Sequence, residues 1–373
     1  MEENNQSMTD EVVQTTSEPE TEVVIPVTET ADQGVVPPEG VTPVGTAKPK
    51  KKSKIAENWL VLCVISYCFI LVGQIMGSMI TQFPLSFIAG IKAGSMGITD
   101  PIEIATRMAD FIPDWIYTGA MYFMFIGIWV FMLLMMLIPA YKPVYKAIGR
   151  KTKGNNILNF IIGLLIGFGM NGVCILAAYL NEDIKLYFDS FRPVQLVIVL
   201  IAVFVQSSAE ELVTRGFLYQ MLIKNYKPWV AIVVNSLLFG ALHLMNPGVG
   251  VLAIVDIVVT GILFSLMVYY MDSIWAAMAA HTAWNFCQNI IFGLLNSGQA
   301  MPFSIFKMDA GSARNSFAYN VDFGVEGTPL AVGIQIVVAI IIFVWGYTKK
   351  KKPTNIWADE QNAVSAEQVA AAE

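Results

Sequence analysis

Eight apolar stretches, near residues 59–80, 116–138, 158–180, 196–223, 229–245, 250–271, 274–296 and 329–347, dominate this 373-residue chain. Most approach the roughly 20 residues that carry a helix across about 30 Å of hydrocarbon. Inside a bilayer the backbone has no water to bond, and a helix satisfies its N–H and C=O groups within itself. Charged residues make up 14% of the chain, against about 25% in a soluble domain. The sequence therefore predicts an all-α fold, a polytopic transmembrane helix bundle of about eight spans with disordered cytoplasmic tails.

Residues 1–54 read as a disordered acidic tail that ends in a basic juxtamembrane run, Lys48, Lys50, Lys51, Lys52 and Lys54. Residues 55–195 hold the N-terminal spans, 196–296 a core of helices, 297–328 an extracytoplasmic loop without an assignable role, and 329–373 the last span and a tail. The segment 81–115 is expected to be a loop with a short interfacial helix. Basic residues set the orientation. With both termini in the cytoplasm, the inner segments carry the first lysine run, Lys142, Lys146, Arg150, Lys151, Lys153, Lys224, Lys227 and Lys349 to Lys352. The outer loops carry only Lys92, Arg107, Lys185, Arg192, Lys307 and Arg314. The expected location is the plasma membrane, with the lipid bilayer as surroundings and no nucleic-acid partner. The cysteines Cys63, Cys68, Cys174 and Cys287 all fall in apolar stretches and read as small hydrophobes.

Against this background, ionisable groups inside the spans stand out, because each costs roughly 2.5–3.5 kcal/mol even on lenient scales. The fourth stretch contains EELVTRG, with Glu210, Glu211 and Arg215. Glu211 and Arg215 are four apart with the acid first, the favourable order for an intrahelical ion pair. Glu210 points about 100° away and has no partner on its own helix. The fifth stretch contains FGALH, with Phe239 and His243, and the seventh HTAWN, with His281 and Asn285. Counted from the helix ends nearest the basic loops, Glu210 and His243 lie about 21 Å deep, and His281 and Asn285 about 14 and 20 Å. Four polar groups on three helices thus reach similar depths, as one site open to the cytoplasm would require. Asp256 is a further acid within a span, read as structural. Gly261 and Ser265, four apart on the sixth stretch, suit close helix packing.

The set EELVTRG, FGALH and HTAWN resembles the motifs EExxxR, FxxxH and HxxxN of the CPBP family, the intramembrane proteases named for CAAX prenyl endopeptidases and bacteriocin-processing (Abi-type) proteins. The resemblance covers about residues 205–290. It implies an endopeptidase acting on a membrane-associated peptide or protein. It also implies that Glu210 activates water together with His243, that His281 and Asn285 hold the oxyanion, and that Glu211 and Arg215 brace the helix.

Two mechanisms suit these residue types. In one, Glu210, His243 and His281 bind zinc and leave a position open for water. In the other, no metal takes part, and a Glu–His pair removes the proton while an imidazole and an amide stabilise the tetrahedral intermediate. The metal-free form is favoured, because an asparagine serves better as a donor than as a zinc ligand. Two other functions are weighed. One is a non-catalytic immunity or scaffold protein of the same fold. The other is a proton-coupled transporter, which the lack of an internal repeat disfavours.

Overall fold

The computed structural model describes residues 57–359 together with residues 362, 366 and 369. The expected acidic tail and its lysine run lie outside the described residues. The described chain is mostly helical. Six of its helices are long and apolar enough to cross a membrane: Trp59–Ser95, Asp114–Met135, Ile157–Leu180, Pro193–Asn225, Val251–Tyr270 and Pro329–Thr348. The protein is an integral, multi-pass membrane protein.

Two of the eight expected segments, 229–245 and 274–296, are not among these six, because their α-helices have only 14 and 12 residues. We number the helices that build the bundle as α1 (Trp59–Ser95), α2 (Asp114–Phe123), α3 (Ile126–Met135), α4 (Ile157–Leu180), α5 (Pro193–Glu211), α6 (Tyr219–Asn225), α7 (Pro228–Ala241), α8 (Val251–Tyr270), α9 (Ile274–Asn285) and α10 (Pro329–Thr348). Helix α7 has 14 residues and so rises only about 21 Å. Helix α9 has 12 and passes into a π-helical turn at Phe286–Ile291. The fourth span changes register in the same way, with a π-helix at Leu212–Leu218 between α5 and α6.

Helix α1 also differs from expectation, since it runs unbroken through Pro84 to Ser95 where a loop was predicted. Leu85, Ala89 and Ala93 recur at four-residue spacing and bury against Phe111 and Ile112, which gives residues 81–95 a packing face. Short helices do follow, at Pro101–Thr106 and Met108–Phe111.

Helix starts follow local chemistry. The side chains of Asn58, Asn156, Ser273 and Thr328 cap α1, α4, α9 and α10, and prolines occupy the first turn of α5, α7 and α10, where no N–H is needed. Small residues set a close crossing. A Cβ at Gly163 or Gly167 of α4 would lie 2.2 or 2.1 Å from the carbonyl oxygens of Ala276 and Ala280 on α9. Glycine alone allows that approach, and it seats the helix that bears His281 and Asn285. The expected close packing at Gly261 is present as well. A Cβ there would lie 2.9 Å from Ser236 Cα of α7, and Ser265 Oγ accepts from Asn235 Nδ2 at 3.1 Å.

The bundle has two distinct ends. One carries the basic residues between its helices, and the segment after α10 folds back onto it. Thr354 bonds to Asp272, the buried Trp357 indole donates to the Gln220 carbonyl at 3.0 Å, and Lys146 pairs with Asp359 at 2.7 Å. Residues 354–359, expected to belong to a disordered tail, are therefore held in place, because Ile356 and Trp357 supply an apolar anchor. At the other end, β1 (Leu186–Phe188) pairs antiparallel with β2 (Phe306–Met308), and Arg192 forms an ion pair with Asp114.

Candidate active site

Glu211 is the last residue of α5 before the π-helix. Its carboxylate is fully buried and accepts from Arg215 Nη1 at 3.0 Å. The intrahelical pair read from the spacing is thus present despite the change of helix type. The Arg215 guanidinium is also fully buried. It donates to Thr214 Oγ1 and to the Gly261 carbonyl, and it lies 4.4 Å from the centre of the Phe239 ring, a cation–π contact in a dry setting. The phenylalanine of FGALH therefore lids the arginine of EELVTRG.

The same Glu211 oxygen is 3.1 Å from His281 Nδ1. Glu211 therefore does more than brace its helix, as the sequence suggested. It also sets the ring plane of a candidate catalytic histidine and places a hydrogen on Nδ1, since a carboxylate only accepts. Signals of this kind lie in tertiary contact and not in spacing.

Glu210 faces a cavity of about 360 Å³. Its Oε1 accepts from Gln206 Nε2 at 2.6 Å. Its Oε2 is buried without a hydrogen-bond partner and lies 3.8 Å from His281 Nε2. Asn285 Nδ2 donates to Gln206 Oε1 at 2.9 Å. His243 lines the same cavity. It lies in the turn just beyond α7, where its Nδ1 bonds to the Phe239 carbonyl at 2.8 Å, one of the carbonyls that a helix end leaves open. That bond puts the hydrogen on Nδ1 and, in the neutral ring, leaves Nε2 as an acceptor. The structure so brings Glu210, His243, His281 and Asn285 to one cavity, with His281 rather than His243 in direct contact with Glu210.

Among the described residues, no three His, Cys, Asp or Glu side chains converge closely enough to hold a metal ion. Glu210, His243 and His281, the set that zinc would require, do not form a ligand shell in this arrangement.

Loops wall one end of the cavity. Its wall includes Met245, Asn246, Ser297, Gln299 and Glu326, all on loops at the end opposite the basic residues. Asn246 Nδ2 ties two of these loops together through the Ser297 carbonyl. Depth counted along a helix locates a residue but does not tell which end is closed. Tyr67 and Leu71 of α1 form part of the wall and are also exposed, so one side of the cavity reaches the surface along α1. Asp256, read as structural, lines the cavity too, and its Oδ1 has no partner.

The sequence of residues 192–287 matches the family model described as Rce1-like, type II CAAX prenyl endopeptidase. The protein carries a CPBP-family intramembrane protease domain. The matched segment spans α5 to the first residues of the second π turn and contains all three motifs. That family consists of peptide hydrolases, and the domain is an intramembrane endopeptidase. No curated protein matches the sequence.

The sequence reading missed Gln206, Asn296 and Glu326. Gln206 lies one helical turn before Glu210, so its spacing pointed to the site. Asn296 and Glu326 lie beyond the matched segment and reach the cavity only through the fold of the 292–328 loop.

Proposed function

We propose that the protein hydrolyses a peptide bond of a membrane-associated substrate with a water molecule activated by Glu210, without a metal. The observation that carries this reading is the free Glu210 Oε2, buried in a cavity shared with two imidazoles and an amide. The carboxylate takes a proton from the water as its oxygen attacks the carbonyl carbon, and His243 Nε2 accepts from the same water. The Asn285 Nδ2–H that otherwise reaches Ser207 Oγ at 3.3 Å turns to the oxyanion, and a doubly protonated His281 donates to it as well. Negative charge then moves from Glu210 to the carbonyl oxygen while His281, 3.8 Å from Glu210, remains counter-ion to both. On collapse the C–N bond breaks, and Glu210 returns the proton to the leaving amine nitrogen.

The proposed setting is the plasma membrane with both termini cytoplasmic, supported by the basic-residue asymmetry. In that orientation the loops that wall the cavity lie at the outer face, and its border at Tyr67 and Leu71 suits a substrate arriving within the bilayer. The test uses purified protein in liposomes with a library of lipid-tethered peptides, farnesylated and unprenylated. Wild type is expected to cleave at least one class, before and after chelation, and Glu210→Gln none. Full activity of Glu210→Gln would overturn the assignment. One zinc per chain, lost with activity on chelation and restored with it, would overturn the metal-free chemistry.

A further inference from the structure

Asn285 is the middle link of a chain of side-chain amides that runs between two carboxylates. At one end, Gln206 Nε2 donates to Glu210 Oε1 at 2.6 Å. Gln206 Oε1 accepts from Asn285 Nδ2 at 2.9 Å. Asn285 Oδ1 accepts from Asn296 Nδ2 at 3.1 Å. The same Asn296 nitrogen reaches Glu326 Oε1 at 3.4 Å. Glu326 is held in turn by donors alone: the Trp284 indole at 2.8 Å, and the Ser297 backbone N–H and hydroxyl. Both Asn296 and Glu326 are buried.

An amide has one accepting and one donating end of almost equal size, so by itself it fits either way round. Here the direction is imposed from outside. An ionised carboxylate only accepts. Gln206 must therefore turn its NH₂ to Glu210, and Asn296 must turn its NH₂ to Glu326. One arrangement of the three amides satisfies both ends. It directs the Asn285 NH₂ toward Gln206 and Ser207, on the Glu210 side, and its oxygen away. A flipped Asn285 would set oxygen against oxygen at Gln206 and NH₂ against NH₂ at Asn296.

We infer that Asn296 and Glu326, both outside the matched domain, are positioning residues that hold the Asn285 amide in the orientation catalysis uses. The inference rests on the proposed role of Asn285 as an oxyanion donor. It also explains the 292–328 loop, which supplies one pole of a polar chain whose other pole is the proposed catalytic base. Loss of one pole removes one of the two constraints on the direction of the amides.

The test is a double-mutant cycle on Asn285→Ala and Asn296→Asp, with the lipid-tethered peptide that wild type cleaves fastest as substrate. Asn296→Asp keeps the size of the side chain but offers oxygens where Asn285 Oδ1 needs a donor. The expected loss in kcat is roughly 10-fold to 100-fold, as for other groups that orient a reacting side chain, with KM unchanged. On the Asn285→Ala background the same substitution should cost nothing further, because no amide remains to be oriented. If repulsion from Glu326 unfolds Asn296→Asp, the pair Asn296→Asp/Glu326→Gln relieves it and enters the cycle instead. Wild-type kcat in the Asn296 variant, additive losses in the cycle, or failure of both variants to fold in detergent would overturn the inference. Asn285→Ala with wild-type kcat would instead sink the oxyanion role on which it rests. A wild type that cleaves no peptide would overturn both.

Discussion

Replacing Glu211 by glutamine should separate two jobs that one carboxylate performs. Glu211 and Arg215 are fully buried and 3.0 Å apart, and Glu211 also holds His281 at 3.1 Å. Removing one partner of a buried pair costs about 3–5 kcal/mol, because the other charge stays behind uncompensated. Here Arg215 would keep Thr214, the Gly261 carbonyl and the Phe239 ring. The glutamine also leaves a neutral acceptor, so the low end of that range applies, about 3 kcal/mol. Glu211→Gln should therefore melt several degrees lower in detergent and lose activity, since the His281 ring loses its charged anchor. Glu211→Gln/Arg215→Met should then regain most of the stability. Both charges are gone, and the Gly261 carbonyl still accepts from Ser265 Oγ at 2.7 Å. Activity should stay low in the double variant, because His281 still lacks its carboxylate. Melting curves and cleavage rates on wild type and the two variants decide the matter. A double variant no more stable than the single, or one with restored activity, would refute the reasoning.

Two other outcomes test the packing and the topology. Gly167→Ala should lower stability by about 1–3 kcal/mol and cut turnover, since its methyl would press on the Ala280 carbonyl and displace α9. Gly169→Ala, which meets nothing within 4 Å, serves as control in the same melts. On a cysteine-free background, a cysteine at Gln299 should react with impermeant reagent from outside intact cells and one at Asp359 should not. The reverse pattern would invert the proposed orientation.

What could be read from the sequence was what spacing along one helix dictates. Glu211 and Arg215 are four apart and do pair, and His281 and Asn285 are four apart and do face one cavity. Apolar length located the helices, but it overstated the regular length of α7, which stops after 14 residues. The π turns were invisible, because residue composition hardly distinguishes i→i+5 from i→i+4 bonding. Glu326 stands in the 297–328 loop, to which the sequence assigned no role. Its partners Trp284, Asn296 and Ser297 are 42, 30 and 29 residues away, and no local pattern links such positions.

The two π-helical turns bear on how this gene can vary. Each follows directly on a motif, Leu212–Leu218 after Glu211 and Phe286–Ile291 after Asn285. A π turn holds one residue more than an α turn, so each is a place where the reading frame of side chains slips by one position. Loss of a single codon within either stretch could leave a regular α-helix behind, and because the α turn so formed holds one residue fewer, the residues beyond it would keep nearly the facing they have now. After the first turn, Gln220 would then stay close to Trp357, and Glu210 and Glu211, which precede the turn, would not move. Single-residue deletions should therefore be better tolerated at these two points than inside the regular α-helices, where every residue beyond would swing by about 100°.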